Sequence, residues 1–116
     1  MTSLSSHVPH PLTGTVRTPG DKSISHRALI IGSLAIGETT IYGLSHGEDV
    51  IRTKAALSCL GVQFAQGNEN SLIIQGRGIG GLIQPICPLN LGNSGTGTRL
   101  LMGAVASQQI TTQFTG

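Results

Sequence analysis

A helix start built from small, polar and basic residues occurs twice in this chain, 72 positions apart, and each time an apolar helix body and a threonine pair follow. With Lys22–Gly43 laid over the segment that begins at Ser94, Arg27 falls on Arg99, Leu29 on Leu101, and Thr39-Thr40 on Thr111-Thr112. Recurrence within 116 residues restricts the fold to a unit used more than once, with two similar helix starts available to face one pocket.

The first start, Gly20-Asp-Lys-Ser-Ile-Ser-His-Arg27, has the composition of an anion site. Helix N-termini carry unpaired N–H groups and the positive end of the macrodipole, so Lys22, Ser23 and Arg27 add charge and donors where an anion is already favoured. The plainer alternative makes Ser23 an N-cap and the two bases solvated surface charges. Against it stands the helix body: Ala28, Leu29, Ile30, Ile31, Leu34, Ala35 and Ile36 leave almost no polar face. A helix over Ser23–Ile36 is therefore expected to be buried nearly all round, its start opening on a cleft. Gly37 is its expected C-terminal cap.

Further along, Gly14–Thr18 predicts a short strand and Thr39–Gly43 another, while Gly47-Glu-Asp-Val opens a second helix with acids in its first turn. Its stripe is Val50, Thr53, Ala56, Leu57 and Leu60, and Gly61 ends it. Val62–Gln66 and Ser71–Gln75 flank Gly67-Asn-Glu-Asn70 as an antiparallel hairpin, giving the order βαβαββ. The Gly/Pro-rich stretch 76–90 reads as a connection with one short strand near Leu82-Ile83. A third helix is expected from Gly95 or Thr96 to Ser107, with Leu101, Ala104 and Val105 inward, and a last strand over 109–116. That strand has no closing element after it, which predicts a sequence belonging to a longer protein.

Two glycine motifs need their context. Gly76-Arg-Gly-Ile-Gly-Gly81 satisfies GxGxxG, but Pro85 and Pro88 forbid the helix that would receive a pyrophosphate, so a glycine-rich turn is expected. Gly92-Asn-Ser-Gly-Thr-Gly-Thr98 has the glycine spacing of a P-loop, with Thr98 where the lysine belongs. What remains there is either a capped glycine turn or a cradle of donors from Asn93, Ser94 and Thr96 at a helix start.

The other titratable groups are less telling. His26, on the Lys22 face, reads as a positioning group. Asp49 is either a dipole-stabilising acid or a partner for Lys22 or an arginine. His7, His10 and His46 lack metal-ligand spacing and are expected on the surface. Cys59 and Cys87 form no CxxC pattern, which leaves reduced thiols in a cytoplasmic protein. With 10% charged residues, a net charge of +2, 3% aromatics and no tryptophan, nothing supports a nucleic-acid partner. No leader pattern or membrane-length apolar run occurs.

Together, Gly20-Asp-Lys-Ser-Ile-Ser-His-Arg27 and Leu91-Gly-Asn-Ser-Gly-Thr-Gly-Thr-Arg99 resemble the 5-enolpyruvylshikimate-3-phosphate synthase family. The resemblance runs from about Gly14 to the end and takes in Gly37-Glu-Thr-Thr40, the Gly47-Glu-Asp-Val50 helix start and the Leu-Gly-Val after Cys59. It implies an α/β fold of βαβαββ units, three to a lobe. Residues 1–13 would be a flexible N-terminus, 14–19 a strand crossing between lobes, 20–81 the first unit and 82–116 the incomplete start of a second, about one and a half units in all.

The activity implied is transfer of enolpyruvyl from phosphoenolpyruvate to the 5-hydroxyl of shikimate 3-phosphate with release of phosphate, needing no cofactor and no metal. By motif, Lys22 contacts both substrates, Ser23 and Arg27 hold shikimate 3-phosphate, and Asn93 and Gly95 line the phosphoenolpyruvate site. Thr96 and Arg99 support that loop, with Asp49 behind. The implied partners are these substrates, the inhibitor glyphosate and the remainder of the same enzyme. Without that remainder the chain is expected to be inert, or to serve as a complementing fragment. On glyphosate two residues point opposite ways: His26 resembles a bacterial subgroup associated with tolerance, whereas Gly95 is the residue of sensitive enzymes. A related transferase acting on a UDP-sugar begins this helix with Lys-Asn, and Lys22-Ser23 argues against it.

Overall fold

The computed structural model describes residues 2–116, which run as α1 (Lys22–Leu34), β1 (Ile36–Ile41), α2 (Glu48–Cys59), β2 (Gln63–Gln66), β3 (Leu72–Arg77), β4 (Leu89–Asn90), α3 (Gly95–Ala106) and β5 (Phe114–Thr115). The first three strands form an antiparallel sheet in the order β1-β3-β2, with Thr39 opposite Ile74 and Phe64 opposite Ile74 on the other side. β3 takes the centre because Leu72 and Ile74 bury against the helices while both of its edges are paired. The hairpin between β2 and β3 closes through a short 3-10 turn, Asn68–Asn70, in which Glu69 and Asn70 adopt left-handed backbone at φ 53° and 56°. β4 and β5 pair in parallel, Leu89 opposite Phe114, an arrangement that requires the crossover connection α3 supplies.

The three helices pack on one another, and α1 also lies along β3. Its approach is close at one point, where a side chain at Gly76 would run into the carbonyl oxygens of Ala35 and Gly32. Leu29, Leu57, Leu60, Ile74 and Leu101 fill the space between, and Leu89 of β4, which packs on α2, joins the same core with Leu91. Burial keeps phase across the 72-residue spacing: Ser25, Leu29 and Ser33 are the buried positions of α1 that fall on buried Gly97, Leu101 and Val105 of α3. No helix among the described residues is long and apolar enough to cross a membrane.

Several expectations are corrected here. α1 begins one residue earlier than expected and is capped by Asp21, whose Oδ1 accepts the Ile24 N–H at 2.7 Å; Ser23 sits inside the first turn. α1 is also not buried all round, since Ile24 and Ile31, seven residues apart, stand exposed beside Arg27. Gly37 caps nothing: at φ 90° it lies within β1, which begins at Ile36 directly after Ala35 closes the helix. Neither Gly14–Thr18 nor Leu82-Ile83 forms a ladder. The first segment is exposed throughout; in the second, Ile83 N–H bonds instead to the Leu60 carbonyl at 2.9 Å, beyond the end of α2. The last strand shrinks to Phe114–Thr115, because only Leu89-Asn90 offers it an edge.

Candidate functional site

Three helix starts meet in this chain. Lys22 opens α1, Asp49 lies in the first turn of α2, and their side chains form an ion pair. One turn further in, His26 of α1 is fully buried, and its Nδ1 is hydrogen-bonded to Thr53 Oγ1 of α2 at 2.9 Å. The first turn of α3 closes on that pair: a Cβ at Gly97 would stand 2.7 Å from Thr53 Oγ1, 2.7 Å from Ser94 Oγ and 3.3 Å from His26 Cε1. Only a residue without a side chain lets the three helices approach so closely.

Local bonds fix each start. Ser25 Oγ donates to the Asp21 carbonyl at 2.6 Å and accepts the Ser45 N–H at 2.9 Å, tying the loop before α2 to α1. Gly20 has no room for a side chain, whose Cβ would meet the Gly43 carbonyl. At α3, Ser94 Oγ accepts the Gly97 N–H at 3.1 Å as N-cap, and Thr98 Oγ1 returns to the Ser94 carbonyl at 2.8 Å. The glycine turn before it is held from outside, where Asn90 Oδ1 accepts the Gly92 N–H at 2.9 Å and Arg52 of α2 lies against Gly92. The segment Gly92–Thr98 is thus a capped glycine turn, in which the N–H groups of Gly92, Ser94, Gly95, Gly97 and Thr98 are bonded within the protein and Gly97 lies against Thr53 of α2 and His26 of α1.

Lys22, Ser23, Arg27, Asn93, Gly95, Thr96 and Arg99 are all exposed, and Asp49 is half-buried. Asn93, Gly95 and Arg99 line a shallow groove of about 420 Å³ together with Ser94, Thr98 and Met102. Among the described residues, Lys22 and Arg52 are the cations that pair with carboxylates, through Asp49 and Glu48; Arg27 and Arg99 do not. Reasoning from sequence missed Thr53, Gly97 and Arg52. A threonine inside an otherwise apolar stripe was the available signal for the first, since a buried hydroxyl needs a partner. Of the glycine turn expected over Gly76–Gly81, Gly76 and Arg77 belong instead to β3 and pair with Gly37 and Ile36; the chain turns only after them, with Arg77 Nε donating to the Gly81 carbonyl at 2.5 Å.

Burial holds the His26 imidazole below its ordinary value of 6.5; the Lys22 ammonium and the Arg27 guanidinium act the same way, and the Asp49 carboxylate opposes them. The folded chain therefore binds fewer protons than the unfolded one once the pH falls below that value. His26's contribution to stability is whole above about pH 6.5 and is lost as the pH falls toward the depressed folded value. The urea midpoint should fall between about pH 7 and pH 5, with a shallower fall in His26→Asn, which cannot take up the proton. Equal slopes for the two proteins would show that another group governs this range.

The mixed α/β chain thus gathers three helix starts, with Lys22 and Arg27 on α1 and Arg99 on α3. A family model for EPSP synthase (3-phosphoshikimate 1-carboxyvinyltransferase) matches residues 7–116, and the chain belongs to that family. It is 56% identical over 106 residues to a 3-phosphoshikimate 1-carboxyvinyltransferase of Afipia carboxidovorans, covering 91% of this chain and 24% of that protein. To the same enzyme of Paramagnetospirillum magneticum it is 51% identical over 113 residues, covering 97% and 25%. Among solved structures, an EPSP synthase from Acinetobacter baumannii superposes with a TM-score of 0.76 at 38% identity, over 85% of this chain and 23% of that one. The chain spans about a quarter of the length of these relatives.

Proposed function

We propose that this chain provides the anion-holding helix starts of an enzyme that transfers the enolpyruvyl group of phosphoenolpyruvate to the 5-hydroxyl of shikimate 3-phosphate, releasing phosphate. The observation that carries the reading is the meeting of α1, α2 and α3 around His26, Thr53 and Gly97, which brings Lys22 and the Asn93–Arg99 turn to the same end of the helix layer. Both substrates are anions, and the addition and elimination steps develop further charge. Fixed cations and N–H donors that need no rearrangement are what such a reaction requires.

In this reading Lys22 reaches both substrates, already oriented by Asp49. Ser23 and Arg27 bind the phosphate and ring of shikimate 3-phosphate, and Asn93 and Gly95 receive phosphoenolpyruvate. Thr96 and Arg99 brace the turn. Residues 20–81, which run α1-β1-α2-β2-β3, supply the first unit without its leading strand, and 82–116 open the second, with 14–19 crossing between lobes. The remaining groups, proton-transfer residues included, lie in the three-quarters of the relatives outside the matched region, so turnover needs that remainder.

A chimera tests the assignment: this chain replaces the matching quarter of the Afipia carboxidovorans relative, and phosphate release is followed with both substrates. The chimera should turn over, the chain alone should not, and a UDP-sugar should not replace shikimate 3-phosphate. A chimera that folds yet acts only on the UDP-sugar would overturn the substrate assignment.

A further inference from the structure

Cys59 and Cys87 are separated by 28 positions and the whole β2–β3 hairpin, yet the fold lays the end of α2 beside the segment that carries Cys87. Cys59 is the last residue of α2, and the chain just beyond it is fastened to the segment that carries Cys87. Leu60 accepts the Ile83 N–H at 2.9 Å, Gly61 accepts Arg77 Nη1 at 3.2 Å, and Ile83 packs so tightly over Gly61 that a Cβ there would lie 2.7 Å from Ile83 Cγ1. From Ile83 the segment returns so that Pro88, the neighbour of Cys87, lines one groove of about 410 Å³ with Cys59, Ala55 and Ala56. Both cysteines are free and exposed.

We propose that Cys59 and Cys87 form a dithiol that small disulfides such as oxidised glutathione convert to an intramolecular disulfide, a modification site separate from the three helix starts. Burial, and then the neighbouring Cys87, push the Cys59 thiol up, which agrees with the two cysteines lying near one another. One protein thiolate attacks the glutathione disulfide; its S–S bond breaks and a glutathione thiolate leaves. The second cysteine gives its proton to solvent and displaces the other glutathione, forming the protein S–S bond. Two protein thiols are oxidised and one disulfide is reduced to two thiols. The product pins the end of α2 to the segment leading into β4, and so to the strand that delivers the Asn93 turn.

The chain is incubated with oxidised glutathione near pH 8, quenched with N-ethylmaleimide and weighed intact, once folded and once in urea. The folded chain should lose two hydrogens, take up no maleimide and stay monomeric. Closure should be about ten-fold or more faster than in urea, because the fold raises the effective concentration of one thiol at the other. Cys59→Ser should stop at a mixed disulfide on Cys87. Glutathione left on both cysteines of the folded wild-type chain, or closure no faster folded than unfolded, overturns the proposal.

Discussion

Gly97→Ala is expected to destabilise the chain by about 3 kcal/mol, from overpacking together with either a displaced N-cap or a buried hydroxyl left without its partner. The new methyl would fall 2.7 Å from both Ser94 Oγ and Thr53 Oγ1, so something has to move. If Ser94 moves, α3 loses the acceptor for the Gly97 N–H; if Thr53 moves, His26 Nδ1 loses its bond. The better helix propensity of alanine offsets only about 1 kcal/mol. Gly103→Ala on the same helix is the control. Nothing lies within 4 Å of that Cβ, and the substitution should be neutral or stabilising by up to about 1 kcal/mol. Urea unfolding of the pair separates contact among helices from a general intolerance of side chains in α3.

Lys22→Ala should behave in the opposite manner, with little change in stability and a large change in binding. Its pair with Asp49 is mostly exposed on the lysine side, and such pairs contribute about 1 kcal/mol or less. A charge-assisted hydrogen bond from the ammonium to a phosphate or carboxylate is worth roughly 1.5–3 kcal/mol, so affinity for a phosphate-bearing ligand should fall about 10- to 100-fold. Lys22→Arg should recover part of the loss, since charge is kept but the compact ammonium is not. Calorimetric titration of the variants against shikimate 3-phosphate gives the comparison. Loss of stability with unchanged affinity would make Lys22 a structural partner of Asp49 and nothing more.

What could be read in the sequence was local. The α2 stripe, the β2–β3 hairpin and the span of α3 follow from spacing and from glycines at their ends, because those signals act within a few residues. Boundaries that depend on partners were misplaced. Leu82-Ile83 has strand composition yet bonds across to Leu60, and Gly37 looked like a helix cap although its left-handed backbone is used inside β1. At the site, the exposed bases announced themselves through an apolar helix body. The groups that bring the helix starts together did not, since His26, Thr53 and Gly97 lie 27 and 44 positions apart and each reads innocuously alone. The same holds for the proposed pairing of Cys59 and Cys87, which depends on how the segment after β3 folds back on the end of α2.

The central claim is that the starts of α1 and α3 serve one anion site. Backbone amide NMR of the chain, titrated with shikimate 3-phosphate and then with phosphoenolpyruvate, tests it directly. Amides of residues 22–27 and 93–99 should shift together, over one concentration range, and lose their response in Lys22→Ala. Shifts confined to the separate groove lined by Leu44, Lys54 and Gln66, or an unaltered response of residues 22–27 in that variant, would contradict it.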